Sequence, residues 1–396
     1  MHVVSKFKKW IFTLEALNSF AAGFYFNWIF FYTQKVLQFG IVENLMLVAM
    51  HGFIYTGAAW LGGWFGHRYG NFAALKIGFA IMGLVLLAGA FLPGGASQVS
   101  VIMGWTFGMC FTWPMLQSLI CAGEPAKALP NLAGLYNLTW SGIAAISFFI
   151  GGTIVEKLGM KSVFILPAVI HAFQFAWVFS LEQTHSASKN LPVTPQTESK
   201  AAETTKRDPR QKLFLRLALL ANPIAYVAIN TVIPMMPEVA KRFELTPMCL
   251  GFVGATWFFV RAGAFVLFWL WPKWHYRFRW LIMACVALTI SFLGILLSSN
   301  LLIVILAQVI FGVAAGLIYY SSLFYSLDGG NAESEHGGAH EAMIGLGTFV
   351  GASVGAAAKF FWPNVPGISI WAVSVVLLIG CATLIFTKTK SARPIA

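Results

Sequence analysis

The chain has 396 residues, of which 58% are hydrophobic and only 10% charged. A water-soluble domain carries about 25% charged residues, so this composition excludes an ordinary soluble fold and makes lipid the solvent for much of the surface. The net charge of +12 would point to nucleic acid in a soluble protein. Here the basic residues fall in short loops between apolar runs, where they orient a chain against the cytoplasmic leaflet, and no nucleic-acid partner is expected.

Lys6, Lys8 and Lys9 precede the first apolar run, 10–33. That run is too long for a signal peptide and more follow it, so it reads as an uncleaved first helix. The second run is 42–64 and the third 72–92, closed by the turn Pro93-Gly94-Gly95. The fourth, 99–121, ends before Glu124-Pro125. The fifth and sixth cover 132–155 and 161–181.

The composition then changes. Residues 182–212 are polar, with Pro192, Pro195 and Pro209 among many Ser, Thr and Lys. Such a segment cannot bury a face and reads as a flexible linker. Six further runs follow at 213–236, 247–271, 280–298, 301–327, 339–362 and 368–387. The predicted protein is therefore all-α and integral to the membrane, with twelve transmembrane helices in two six-helix bundles, 1–181 and 213–396, joined by a cytoplasmic linker, 182–212. Many transporters share this two-half plan.

With both ends placed in the cytoplasm, nineteen Lys and Arg fall in cytoplasmic loops and tails and six on the other side. The six are Lys35, Lys157, Lys161, Lys241, Arg242 and Lys359. The bias predicts a multi-pass protein of the plasma or inner membrane with cytoplasmic termini. The acidic loop with Asp328, Glu333 and Glu335 runs against the trend, but acids contribute little to orientation. Cys110, Cys121, Cys249, Cys285 and Cys381 lie in or beside apolar runs with no C-x-x-C spacing, so neither a disulfide framework nor a zinc motif is expected.

The loop after the second run reads Gly63-Trp64-Phe65-Gly66-His67-Arg68-Tyr69-Gly70-Asn71. It resembles the signature loop of the major facilitator superfamily, G-x-x-x-D-R-x-G-R-R, with His67 in place of Asp and Asn71-Phe72 in place of the two basic residues. The resemblance implies a gating loop built from Gly63, His67, Arg68 and Gly70. Gly63 would let helices approach, Arg68 would hold carboxylates or helix carbonyls, and Gly70 would permit the turn. The basic, aromatic stretch Trp271–Arg279 is either a decayed copy of this loop or an ordinary positive-inside loop. Ser100 replaces the arginine that many proton-coupled members carry in the fourth helix, and Ser147-Phe148 replace the Gly-Pro of drug antiporters in the fifth. Both departures weaken those two subclasses.

Arg261 is the sharpest single feature. It lies ten residues before Trp271, or about 15 Å from the end of the eighth helix at about 1.5 Å per residue, near the bilayer midplane. An arginine there faces a wet cavity or a partner. It either binds an anionic substrate or forms a structural pair.

Glu15, in the first helix, carries a coupling proton or pairs with a loop lysine. His51 and His171 relay protons or pack as neutral rings. The resemblance implies that helices one, four, seven and ten line a central cavity. Candidate substrate contacts are Asn18, Tyr25 and Asn27 in the first helix, Trp113 and Gln117 in the fourth, and Tyr136, Asn137 and Trp140 in the fifth. Asn222 and Asn230 in the seventh, Trp257 in the eighth, and Tyr319 and Tyr320 in the tenth complete the set. Each is either a solute contact or helix-to-helix glue. Pro223, Pro234 and Pro237 suggest a bent seventh helix, and the G-x-x-x-G pairs at Gly312/Gly316 and Gly347/Gly351/Gly355 suggest close packing.

His336, His340 and Glu341 have metal-like spacing, but Gly337-Gly338 argues against a helix across them. The stretch reads as a polar loop leading into the eleventh helix, with Glu341 at its start. No metal or cofactor is expected. No Walker A loop is present, so ATP-driven transport by this chain is not expected. The reading favoured is a secondary transporter of a small organic solute, an anion among the candidates, driven by a proton or other ion gradient and working as a monomer in the lipid bilayer. A non-transporting receptor or scaffold of transporter descent, and a polytopic membrane enzyme, stand as alternatives.

Overall fold

A computed structural model describes residues 6–92, 94–125, 128–189, 208–327 and 334–392. Among them the secondary structure is helical throughout, because a backbone in lipid must satisfy its own hydrogen bonds. The helices are α1 (Lys6–Leu37), α2 (Ile41–Tyr69), α3 (Asn71–Phe91), α4 (Gly95–Cys110), α5 (Trp113–Cys121), α6 (Leu129–Leu158) and α7 (Ser162–Lys189). The second half holds α8 (Pro209–Arg242), α9 (Pro247–Gly254), α10 (Thr256–Leu270), α11 (Phe278–Leu297), α12 (Leu301–Leu327), α13 (Ser334–Phe361) and α14 (Ile368–Ala392).

The fourth and eighth spans are each broken in two. Between α4 and α5 the chain turns at Phe111 and Thr112, ahead of Pro114, and between α9 and α10 it turns at Ala255. Eleven spans among the described residues are long and apolar enough to cross a membrane. The twelfth is α1, which at 32 residues is long enough but is diluted by Glu15, Asn18, Ser19 and Asn27. Its packing against α6, α7 and α5 places it in the bundle all the same.

Several sequence expectations shift. Helix α7 continues to Lys189 and α8 begins at Pro209, so helix occupies both margins of the segment expected to be linker. Asp208 caps α8, its backbone N–H donating to Gln211 Oε1 at 3.1 Å. Helix α13 begins at Ser334 and runs through Gly337-Gly338, so the polar loop expected there is helix. Two glycines lower helix propensity without breaking a span that is anchored by packing further along. The side chains of Glu333, Glu335, His336 and His340 lie outside the described residues. Helix α8 stays continuous through Pro223, Pro234 and Pro237.

Glycines set the contact between the halves. A Cβ on Gly52 would sit 2.4 Å from Phe349 N, and one on Gly345 2.5 Å from Thr56 Oγ1, so α2 and α13 touch backbone to backbone. Gly347 and Gly351 press on Pro223 and Val227 of α8, and Gly312 and Gly316 press on α10. The G-x-x-x-G glycines therefore serve packing. At the end of the bundle opposite the termini, Gln34 of α1 donates to Glu238 of α8 at 2.7 Å, and Met248 N of α9 donates to Glu156 of α6 at 3.0 Å. That end is closed.

Candidate functional site

The centre of the molecule is built around Arg261. Its residue is 5% exposed, and its guanidinium lies 4.9 Å from the ring centre of Trp140, 4.9 Å from Trp257 and 5.5 Å from Phe258. Trp257 and Phe258 flank it on α10, while Trp140 reaches it from α6 in the other half. Cation–π contacts to desolvated rings contribute about 2 kcal/mol each, enough to hold the cation without an ion pair. Among the described residues it has no carboxylate partner, and its Nε has no acceptor. Tyr226 of α8 and Tyr319 of α12 lie within electrostatic reach, and the Trp140 and Tyr319 rings are 5.6 Å apart. Trp140, Tyr226, Tyr319 and Glu341, from α6, α8, α12 and α13, are half-buried.

Two carboxyl groups belong to the same interior. Glu15 of α1 is fully buried; it accepts from Ser19 Oγ at 2.6 Å and from Tyr136 Oη at 3.1 Å. The Trp113 indole lies beside the same carboxyl, and the Trp113 carbonyl accepts from Tyr136 at 3.3 Å. Among the described residues Glu15 forms no ion pair, and Lys8 of the same helix pairs with Glu124. Glu341 of α13 accepts from the Tyr55 phenol of α2, a hydrogen bond between the halves. Both acids are met by neutral hydroxyls.

Sequence reasoning missed Glu341, Tyr55 and Tyr226 as members of this cluster. Reading Glu341 at a helix start placed it near the surface, whereas α13 starts seven residues earlier and carries it inward. Tyr226 had a visible signal: Asn222, Tyr226 and Asn230 recur every four residues and share one face of α8.

The other candidates divide. Asn137 donates to Ala133 O and accepts from Trp140 Nε1, both at 2.7 Å, so it fixes the tryptophan that covers Arg261. Asn18 donates to Thr112 Oγ1 at 3.5 Å, at the break between α4 and α5, and Asn230 donates to Thr348 Oγ1 at 2.8 Å. Asn27 donates to Gly23 O at 2.7 Å on its own helix. Tyr25 packs on Trp105 and Phe164, inside the first half and away from Arg261. Gln117 is half-buried on α5, one turn past Trp113, and Asn222 is buried in α8. Tyr320 packs on Phe265 and Trp274.

The two histidines are tied into the first half. The Thr106 hydroxyl donates its proton to Ile102 O at 2.6 Å, so His51 Nδ1 is the donor in the 2.7 Å bond to Thr106. His171 Nδ1 bonds Gln174 Oε1 at 2.8 Å, and Gln174 Nε2 donates to Leu14 O at 2.9 Å. This chain of bonds joins α7 to α1.

The sequence profile of the Major Facilitator Superfamily matches residues 106–356. The chain belongs to the major facilitator superfamily. It is a multi-pass membrane protein of that transporter family. Its fold is similar to the nucleoside transporter NupG, with 12% identity and a TM-score of 0.68 over 98% of this chain and 98% of that one. It is similar to a bacterial homolog of the human lysosomal transporter Spinster, at 14% identity and TM-score 0.72 over 99% and 100%. A POT family transporter in complex with 5-aminolevulinic acid gives 12% and 0.74 over 98% and 96%. At these identities the likeness is one of fold. No curated protein matches the chain in sequence.

The superfamily loop sits at the end of α2. Gly70 has φ +93°, the left-handed backbone its turn requires. Gly63 meets nothing within 4 Å of a Cβ position and is not a close-approach glycine. That role falls to its neighbours Gly62, where a Cβ would lie 2.2 Å from Cys110 O, and Gly66, 2.0 Å from Met115 Sδ. His67 and Arg68 are exposed, and the Arg68 guanidinium rests 5.7 Å from the Tyr69 ring. Among the described residues Arg68 forms no ion pair in this conformation.

Proposed function

We propose that this member of the superfamily is a secondary transporter that carries a small organic anion by alternating access, docking its carboxylate or phosphate on Arg261. The observation that carries the reading is a guanidinium at the junction of the halves with aromatic faces around it and, among the described residues, no acid paired with it. A structural arginine this deep is matched by a carboxylate or by carbonyls. Here Glu15 and Glu341 are bonded to hydroxyls instead. The half-buried rings of Trp140, Tyr226 and Tyr319 supply apolar walls for the rest of the solute.

In this reading Glu15 and Glu341 exchange the coupling proton, one on each half, in preference to His51 and His171, whose Nδ1 atoms are already engaged. The chain lies in the plasma or inner membrane with both termini in the cytoplasm, as its charge bias supports. The exposed Arg68 at the α2–α3 turn acts as a latch in the opposite conformation, so Arg68→Ala slows transport and leaves substrate preference unchanged.

The test is counterflow in proteoliposomes, screened over small carboxylates, phosphate esters and neutral solutes. An anion should be taken up by the wild type. A charge-assisted hydrogen bond is worth about 1.5–3 kcal/mol, so Arg261→Ala should weaken half-saturation by roughly ten- to hundredfold, with Arg261→Lys in between. Undiminished uptake by Arg261→Ala, or uptake of neutral solutes alone, would refute the role. Binding without counterflow would instead favour a receptor.

A further inference from the structure

A cavity of about 630 Å³ opens at the end of the bundle opposite the termini. That volume falls within the range of small-ligand sites. Its walls carry Lys241 and Arg242 at the end of α8, Lys359 near the end of α13, and Glu238. Only six Lys and Arg belong to this end of the sequence plan, and three of them border this one cavity. A clustering of that kind, at the end where basic residues are scarce, calls for an anion.

The cations are unequal. Arg242 is committed to the frame, donating to Leu296 O at 2.7 Å and Ser298 O at 2.9 Å and so capping α11. Lys359 donates once, to Pro363 O at 2.6 Å, leaving two ammonium protons. Lys241 is exposed and has no side-chain partner among the described residues. The cavity's one acid, Glu238, is bonded to Gln34 of the other half at 2.7 Å. The remaining wall is largely apolar, with Ile41, Met235, Leu296 and Ile368. These residues sit at the ends of spanning helices, the level at which lipid headgroups lie.

We propose that this cavity binds the phosphate of an anionic phospholipid headgroup, with Lys241 and Lys359 as its ligands and the apolar wall against the glycerol and first methylenes. A free inorganic anion would have no use for that wall. Because Ile41 and the Gln34–Glu238 bond belong to the joint between the halves, a bound headgroup also favours the closed state of this end.

The experiment uses the full chain, purified and delipidated in neutral detergent, with phosphatidylglycerol titrated in mixed micelles and binding read from tryptophan fluorescence. Each lysine near a lipid phosphate contributes about fivefold in affinity, so Lys241→Gln with Lys359→Gln should weaken binding by roughly thirtyfold. Lys157→Gln with Lys161→Gln, at the same end but outside the cavity, should leave it unchanged. Glu238→Gln, which keeps its bond to Gln34, should tighten binding about fivefold. Melting curves without lipid confirm that each variant is folded. Equal binding of phosphatidylcholine, equal loss in the control pair, weaker binding by Glu238→Gln, or displacement by inorganic phosphate at matched concentration would each overturn the proposal.

Discussion

Gly152→Ala should bias the transporter toward opening at the end opposite its termini. The added Cβ would lie 1.9 Å from the Pro247 carbonyl oxygen and 2.6 Å from its carbon, where ordinary contact begins at 3.4 Å. Helix α6 and the first turn of α9 must therefore part by about 1.5 Å, and because the obstacle is backbone no rotamer change relieves it. Overpacking of this kind costs about 1–3 kcal/mol. If the contact exists only while this end is closed, the cost falls on that state alone, and about 2 kcal/mol shifts the open-to-closed ratio roughly thirtyfold. The adjacent Met248–Glu156 hydrogen bond would break in the same motion. Spin labels on Leu158→Cys and Ser299→Cys, both exposed and on opposite halves, report the separation by pulsed dipolar spectroscopy in a cysteine-free background. The expected result is a distance distribution moved to longer values in a protein that still melts cooperatively. An unchanged distribution together with a lowered melting temperature would refute the reasoning, since the joint would then be static packing.

Glu341→Gln keeps a hydrogen-bonding partner for Tyr55 but removes the group that can gain and lose a proton; gradient-driven accumulation should fail while counterflow exchange persists, and accumulation at the wild-type level would clear Glu341 of coupling. Gln174→Ala breaks the His171–Gln174–Leu14 chain and strands buried polar atoms, at a cost of about 1–3 kcal/mol. The expected signature is a lower melting temperature with unaltered substrate preference, and a change of preference with no loss of stability would place this chain of bonds in the transport path instead.

The span pattern was legible because lipid demands runs of about 20 apolar residues, and most spans announce themselves that way. The interior place of Arg261 was legible too: a charge inside an apolar run has to avoid lipid, and the residue is buried. Facing was harder. A glycine in the superfamily loop was visible as a close-approach residue, but one position along a helix turns the side chain by about 100°, and the contacts fall to Gly62 and Gly66 in place of Gly63. Glu341 was hidden by a rule of propensity. Gly337-Gly338 argues for a loop locally, whereas tight packing of α13 on α2 and α8 carries the helix through. Partners between the halves, such as Tyr55 with Glu341, have no short-range signal at all.

The polarity of α1 turns from a weakness of the span assignment into evidence about its place. Glu15, Asn18, Ser19 and Asn27 lower its apolar content, yet all four are buried. Such groups cannot face hydrocarbon without losing several kcal/mol apiece, so the helix that carries them must be surrounded by protein or by a wet path. The partners bear this out: Tyr136 from α6 meets Glu15, Thr112 from the α4–α5 break meets Asn18, and Gln174 from α7 meets the Leu14 carbonyl. Helix α14 is the opposite case, with Trp371, Val375, Leu378, Ile379, Ile385 and Phe386 exposed along it. A strongly apolar helix is free to stand at the lipid boundary, and a mixed one is held inside. The span that composition ranks lowest is therefore the one that composition places inside the protein.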